Sequence, residues 1–510
     1  MKAILSNKPL LIQILKILLV LALLPLPFAF STAKPKKAPE SEAPAPVPAA
    51  APAAAGLPAP LAMTEPPPPP PTKKKNKKSK GAPPEPENQL TSEAGRRLLH
   101  YKFEVPESLK PAVDFWKLVY SKYDRRFEIF HDTKNLKVIY SVLDFSDIYD
   151  SPSLSDSERR ALRRNRIESE KDRIRGILRR LAAGDYTPAQ LNKEERRIYD
   201  LFQDDPSPDK FMEATEDGRV RSQTGIQDKF IAGIQASGQY LEEIEEIFAA
   251  QGVPSEITRL VFVESMFNLR ARSKVGASGI WQFMPGTGRL FLSIDSVADE
   301  RNDPIAASRA AAQLLRDNYE ALGSWPLAIN AYNSGRATLM RAVSALGTSE
   351  IATIILYYSG GVYGFASRNF YPCFLAALDL SNHYPKYFGK LRIAPRIRYE
   401  YYYPKSPVYF SQLVSLSGTS WEDILTLNPH FSSSILNDQR KLPAGYNLRV
   451  PKGSESRFAK AEEQLLSGST AVTSVAKNLE PKTEPLLTDD GSGGPDESDL
   501  ISPANAEGGQ

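Results

Sequence analysis

Hydrophobic positions along this chain follow two different periods, and the changes between them mark its elements. Over 113–123, VDFWKLVYSKY repeats its apolar residues at helical spacing, whereas FEIFHD (127–132) and LKVIYSVLDF (136–145) alternate as strands do. Between 158 and 181, Ile174, Ile177, Leu178 and Leu181 make one helical stripe, ringed by ten cations against four acids. That positive face could meet an acidic polymer, or more simply be solvated and packed against the next domain. From Ile226 to about Tyr387 the pattern becomes a run of short helices. Leu241, Ile244, Ile247 and Phe248 form a stripe that Gly252 ends and Pro254 turns. Asp303 and Pro304 read as N-cap and first residue of a helix that stops at Gly323. Pro326 opens the next helix, Gly335 closes it, and Ala337 to Leu346 makes one more before Gly347.

After a Tyr-rich link, Tyr399 to Tyr403, comes a smaller unit of about 404–451. SWED at 420–423 reads as a capping box for a short helix ending in LNP, and LPAGYNLRVP at 442–451 as a turn followed by a strand. A brief helical stretch follows near Phe458 to Leu466. The pattern predicts a mainly α fold, with an α+β part ahead of a helical body and a small module behind it.

Composition changes this picture at the two ends. The basic start (Lys2, Lys8), the apolar run Ile17 to Leu24 and the small residues Ser31, Thr32 and Ala33 describe an export signal spanning 1–33 and cleaved near Ala33, with an uncleaved N-terminal anchor as the alternative. No Cys stands near that boundary, so a lipid-modified N-terminus is excluded, and the single Cys373 excludes an intrachain disulfide. Residues 34–94 are a Pro/Ala/Lys-rich linker, including PPPPPP, that favours extended polyproline structure over a core. Its KKKNKKSK run (73–80) could touch an anionic surface, a membrane or an acidic wall polymer. The segment 453–510 ends as a mostly disordered acidic tail, with eight acids and one Lys from Leu479 onward. Between them lie an α+β extension at 95–222, the helical body at 223–392 and the module at 400–452. A formal net charge of +4 is too small to suggest nucleic acid. Four widely spaced His residues (His100, His131, His383, His430) give no metal-ligand spacing, and no cofactor motif is present.

Within the helical body one residue breaks the pattern. Ile257, Leu260, Val261 and Glu264 stand at i, i+3, i+4 and i+7, so a carboxylate shares a face with three aliphatic residues, and no further acid follows before Asp295. Burial there raises a Glu pKa and makes it a proton donor near neutral pH. A Glu at a helix end can equally bond backbone or an Arg. Downstream, Gly276, Gly279, Gly286 and Gly288 with Ser273, Ser278 and Thr287 suggest irregular backbone close to something, and Trp281, Phe283 and Met284 an apolar, stacking surface. Gln282 and Asn333 are neutral groups suited to sugar hydroxyls or an acetamido group.

VESMFNLRARSKVGASGIWQFMPGTG, followed by AYNSG at 331–335, resembles the soluble lytic transglycosylase (SLT) domain, related in fold to goose-type lysozyme. The flanks IQDKFIAGIQASGQYLEEIEEIFAAQGVPSEI and DERNDPIAASRAAAQLLRDNY are similar to the membrane-bound lytic murein transglycosylase D group. The unit 404–451 resembles a βααβ LysM peptidoglycan-binding module in its LNP and PAGYNLRVP portions, without an opening GDTL signature.

The resemblance implies a lysozyme-like fold and an enzyme that cleaves the β-1,4 bond between N-acetylmuramic acid and N-acetylglucosamine, leaving 1,6-anhydro ends. Glu264 would act first as acid and then as base. Ser273 and Gln282 would contact the sugar, Met284 would line the cleft floor, and Tyr332 and Asn333 would lie across from it. The implied partners are peptidoglycan glycan strands, and other cell-wall enzymes, in the periplasm or cell envelope. One departure stands out: RNFYPCFLA replaces the family's RNYVPKFLA, putting Phe370 where a Tyr commonly orients the acid, with Tyr371 beside it. A muramidase that activates water would need a second carboxylate, for which Asp295, Asp299, Glu300 and Asp303 are the nearest candidates. An inactive wall-binding scaffold is the third reading.

Overall fold

The computed structural model describes residues 100–468. The export signal, the whole linker, the first residues of the extension and the acidic tail past 468 lie outside the described residues, within which no single helix is long and apolar enough to cross a membrane.

Helix α1 (Lys110–Ser121) forms where the first helical stripe predicts it and buries Val113, Phe115, Trp116, Val119 and Tyr120. The alternating segments become β1 (Phe127–Asp132) and β2 (Ile139–Asp144), paired antiparallel. A strand that the pattern does not announce, β3 (Val220–Thr224), pairs with the other edge of β1, so the sheet order is β2-β1-β3. VRSQT is too polar to signal a strand; the free edge of β1 supplies the reason for it. Helix α2 (Asp156–Ala183) opens with a Ser155/Glu158 capping box and stops at left-handed Gly184. Its Ile174, Leu178 and Leu181 pack with Phe130, Tyr140, Ile198 and Phe202 into a separate core. Much of its cationic face is paired: Arg163 with Glu128, Arg166 with Asp147, Arg173 with Glu170 and Glu194, and Arg180 with Glu195. The solvated, neutralised face is what the pairs describe.

The large core gathers α3 (Gln227–Ser237), α4 (Leu241–Ala250), α5 (Leu260–Glu264), α6 (Pro304–Leu322), α7 (Trp325–Ser334), α8 (Arg336–Leu346) and α9 (Phe365–Asn382). Asp303 caps α6, accepting hydrogen bonds from the Ile305 and Ala306 amides, and Gly323 and Gly347 end their helices in the left-handed conformation, as the sequence predicts. Helix α1 belongs to this core too. The Trp116 indole N–H donates to Asn369 Oδ1 of α9 at 2.8 Å.

The third core holds β4 (Tyr399–Tyr402), α10 (Phe410–Ser417), α11 (Trp421–Leu427), β5 (Leu448–Pro451) and α12 (Glu455–Leu466). The Tyr-rich link is therefore a strand, antiparallel to β5, and Phe458 of α12 is wholly buried in the same core. Polar contacts tie this unit to the helical body. Arg449 makes two hydrogen bonds to Asp303, at 2.8 and 2.7 Å, and His430 lies 3.2 Å from the same carboxylate. Alongside, Ser432 N–H donates to Val297 O at 3.0 Å and the Ser434 hydroxyl to Ser296 O at 2.6 Å.

Candidate active site

Glu264 is the last residue of α5, a helix buried on all sides: Leu260, Val261, Phe262 and Val263 are all inaccessible or nearly so. Helical spacing alone could not single out its face, because the segment has no exposed one. The chain then turns through Met266 (φ 52°) and Phe267 (φ 57°), two successive left-handed residues without glycine, which is backbone strain stored beside the acid. Gly233 makes room for this turn, since a Cβ there would stand 2.6 Å from the Met266 carbonyl oxygen.

The Glu264 side chain is 4% exposed, and neither carboxyl oxygen has a hydrogen-bond partner among the described residues. Burial, the sole cause acting on it, pushes its pKa well above the ordinary carboxylate range. The nearby cation Arg259 is taken up by Glu245, so it does not clamp the acid. Two tyrosines feel its charge: Tyr332 of α7 and Tyr120 of α1, whose own hydroxyl pKa values are raised, chiefly by burial.

Residues 271–284 fold back on themselves against this acid. Gly279 N–H donates to Ala271 O at 2.9 Å, Ser273 N–H to Ala277 O at 2.9 Å, and Ser278 N–H to Phe283 O at 3.2 Å. Gly279 has φ 79°, and a Cβ on it would fall 1.8 Å from the Arg301 carbonyl oxygen, so only glycine fits this approach. From outside, the Arg301 guanidinium donates to Gly276 O (2.7 Å) and Phe283 O (3.1 Å), and the Ser278 hydroxyl donates to Asn302 Oδ1 (2.6 Å). From inside, the Ser265 hydroxyl donates to Ile280 O (2.9 Å) and the Tyr332 hydroxyl to Trp281 O (2.9 Å). The loop thus bridges the residue after Glu264 and the tyrosine facing it.

The sequence candidates fall into different places. Gln282 is buried with φ 47°, and its amide nitrogen donates to Gly279 O (2.7 Å) and Ala271 O (3.2 Å), so that nitrogen shapes the loop. Half-buried Ser273 accepts from the Ala277 amide at 2.9 Å, and half-buried Met284 precedes the turn 285–288. Asn333 is buried, with its oxygen accepting from the Ser367 hydroxyl at 3.3 Å and its amide nitrogen unpartnered among the described residues. Trp281 and Phe283, expected to supply stacking surface, are core residues instead; Trp281 stacks on Phe248 at 5.3 Å and donates to the Ser308 hydroxyl at 2.8 Å. Phe370 is fully buried, whereas Tyr371 stacks on Phe374 and faces Tyr101 and Glu350. Tyr120 and Cys373 were missed by sequence reasoning. Their signal was positional: Tyr120 follows Trp116 by four residues on α1, and Cys373 follows Phe370 by three on α9.

The four other acids considered for a second catalytic carboxylate hold backbone or ion pairs. Asp295 accepts from the Val297 and Ala298 amides, Asp299 binds Arg301, Glu300 accepts from the Ser293 amide, and Asp303 caps α6 and binds Arg449. Among the described residues no group of three or more His, Cys, Asp or Glu could hold a metal ion.

The family model of the transglycosylase SLT domain matches residues 244–355, which span α5, the 271–284 loop and α6 to α8. The membrane-bound lytic murein transglycosylase D of Escherichia coli (strain K12) is 29% identical over 238 residues, 45% of this chain and 50% of that protein. The protein of the same name from Escherichia coli O6:H1 matches to the same extent. The chain thus spans about half the length of these relatives. An inactive mutant of the lytic transglycosylase Slt from Pseudomonas aeruginosa aligns in structure at 18% identity, over 50% of this chain and 39% of that one, with a TM-score of 0.23.

Proposed function

We propose that this chain, a member of the transglycosylase SLT domain family through residues 244–355, is a peptidoglycan lytic transglycosylase whose one catalytic carboxyl is Glu264. The reading is carried by the state of that carboxyl: covered, without a hydrogen-bond partner among the described residues and held protonated by burial. The protonated Glu264 gives its hydrogen to the glycosidic oxygen as the bond from the N-acetylmuramic acid anomeric carbon to that oxygen breaks. The carboxylate so formed takes the hydrogen of the muramoyl 6-hydroxyl, whose oxygen bonds to the anomeric carbon and closes a 1,6-anhydro ring. The proton lost in the first step is regained in the second, and no water is consumed. A hydrolase of ordinary design needs a second carboxylate for its nucleophile or base. The structural engagement of Asp295, Asp299, Glu300 and Asp303 favours the one-acid reading over a water-using muramidase.

Asn333, through its amide nitrogen, and the edge formed by Ser273, Gln282, Met284 and Tyr332 are the proposed sugar contacts. Phe370 and Tyr371, expected as substrate contacts, are buried on α9, and Tyr371 stacks on Phe374. The carboxyl oxygens are covered, so a glycan strand must displace side chains to reach them. Action on the wall fits an exported protein of the cell envelope, in line with the membrane-bound name of its relatives. The 400–452 unit would serve as a glycan-binding module of LysM type, and the Lys run at 73–80 would add contact with an anionic surface.

Mass analysis of muropeptides released from purified sacculi tests the reading. Anhydro-muramoyl ends are expected from the parent, and a loss of about 10²–10⁴-fold in rate from Glu264→Gln, the usual worth of a general acid. Reducing muramic ends would establish the muramidase instead, equal release by parent and variant would overturn the role of Glu264, and no release by the parent would leave a scaffold.

A further inference from the structure

Asn333 keeps one polar atom without a partner inside a packed core, and Ser367 beside it determines which atom that is. On the reading that Asn333 meets the glycan, we infer that Ser367 of α9 is its positioning residue. The Ser367 hydroxyl occupies the amide oxygen and leaves the amide nitrogen to face an acceptor oxygen of the sugar, the carbonyl of an acetamido group.

The side chains concerned are all buried. The Tyr363 hydroxyl donates to Asn330 Oδ1 at 3.0 Å, and Asn330 Nδ2 donates to Ser367 O at 2.8 Å. The Asn330 amide thus has a partner at each end, which sets its orientation and holds the first turn of α9 against α7. Two residues beyond Ser367, Asn369 accepts from the Trp116 indole at 2.8 Å and donates to Phe365 O at 2.9 Å, so α9 is tied to α1 as well. From this fixed place the Ser367 hydroxyl donates to Asn333 Oδ1 at 3.3 Å. Asn330 and Asn333 stand three apart on α7, so one helical face carries both to Ser367.

Asn333 is 4% exposed, and its Nδ2 has no hydrogen-bond partner among the described residues. A buried donor without an acceptor costs free energy that a ligand oxygen would return. Which ligand it takes depends on which end of the amide is presented. Turned end for end, the amide would offer an acceptor and suit an ammonium group. With Oδ1 held by Ser367 it offers only N–H. An acetamido carbonyl accepts from that group, whereas the ammonium of a deacetylated amino sugar has no lone pair to give. Ser367, which never touches the sugar, therefore makes the site selective for N-acetylated strands. A hydroxyl held by a fixed helix does this without rearrangement when the ligand arrives.

Selective ¹⁵N labelling of Asn in the full chain carrying Glu264→Gln, which removes turnover, tests this at the residue itself. The Asn333 side-chain N–H pair is the one lost when Asn333→Ala is added. Chitotetraose, a tetramer of N-acetylglucosamine, is expected to shift that pair. The fully deacetylated tetramer, at a pH where its amines are charged, is expected to leave it in place. Ser367→Ala is expected to raise the half-saturating chitotetraose concentration about fivefold, the worth of one neutral hydrogen bond. Ser367→Thr, which keeps the hydroxyl, is expected to restore it. An Asn333 pair that chitotetraose does not move overturns the inference, as does equal half-saturation with and without Ser367. So do a deacetylated tetramer that shifts the pair as readily and a Ser367→Thr chain as weak as Ser367→Ala, which would reduce Ser367 to packing. Since the signal comes from Asn333 alone, binding by the C-terminal unit does not enter. A chain that meets these expectations while the parent releases no anhydro ends from sacculi refutes the proposed activity and keeps the role of Ser367.

Discussion

Replacing Glu264 by Gln is expected to make the protein more stable as pH rises, while removing the proposed activity. Both carboxyl oxygens are buried and unpartnered among the described residues, so the native state holds the neutral acid. In the unfolded chain the same Glu ionises near its ordinary value of ~4.3. The folded pKa is raised, so between the two values the native state binds more protons than the unfolded one, and stability falls with increasing pH. The contribution is fully present below the unfolded value and is lost tenfold in the folding equilibrium for each pH unit over which the native carboxyl stays protonated. From ~4.3 to neutrality that ceiling is about 500-fold, roughly 4 kcal/mol. Gln does not titrate. Any cost of its buried amide is the same at every pH and cancels from the slope. Denaturant midpoints of parent and variant at half-unit steps between about pH 4.5 and 8, the window above the unfolded value, are expected to diverge upward in favour of the Glu264→Gln variant, the gap closing toward the acid end. Parallel profiles would refute the claim that Glu264 is dry and neutral, whatever the enzyme assays say.

Two further outcomes follow from the contacts around the loop. Arg449→Met removes both hydrogen bonds to a buried Asp303 and is expected to cost about 3–5 kcal/mol, read as a lowered denaturation midpoint. Burial alone would raise the Asp303 pKa, but Arg449 and His430 overcome it and hold the carboxyl below its ordinary value. Stability from this pair is therefore present above the unfolded Asp value and lost as pH falls through the folded one, so acid unfolding of Arg449→Met is expected to begin at higher pH than in the parent. Gly279→Ala combines a positive φ with a clash against the Arg301 carbonyl and is expected to cost about 2 kcal/mol or more; a midpoint within error of the parent would show that the loop relaxes freely.

Local signals in the sequence were strong wherever one element decided its own shape. Asp303-Pro304 and Gly323 bound α6 as read, and FEIFHD alternates because β1 is a strand. Failures occurred where a neighbour decides. VRSQT becomes β3 only because β1 offers an edge, and the Tyr-rich link becomes β4 only because β5 returns beside it. The same division holds at the site. Glu264 was legible as a charge among aliphatic residues, yet its lack of a partner among the described residues is a property of the packed core. Trp281 looked like cleft surface because Trp suits both sugar stacking and cores, and its stack on Phe248 decides for the core. Tyr120 lies 144 residues before Glu264, a separation across which no periodicity carries information.

Retaining a proton and meeting a polysaccharide are opposed demands on one carboxyl, since the first asks for dryness and the second for access. The contacts of the 271–284 loop suggest how both are met. Its outer side is held by Arg301 and Asn302, in a segment that ends at Asp303, and Asp303 is clamped by Arg449 and His430 of the C-terminal unit. Its inner side meets the acid's surroundings through hydroxyl bonds from Ser265 and Tyr332, while the buried rings of Trp281 and Phe283 set it in the core. Hydroxyl bonds of about 1 kcal/mol each are exchangeable for bonds to sugar, whereas a buried bidentate ion pair is not. The two hydroxyl bonds are therefore the contacts a sugar can replace, while the ion pair and the buried Trp281 and Phe283 keep the loop in place. On this account the C-terminal unit, through Arg449 and His430 on Asp303, fixes the segment that holds the outer side of the loop.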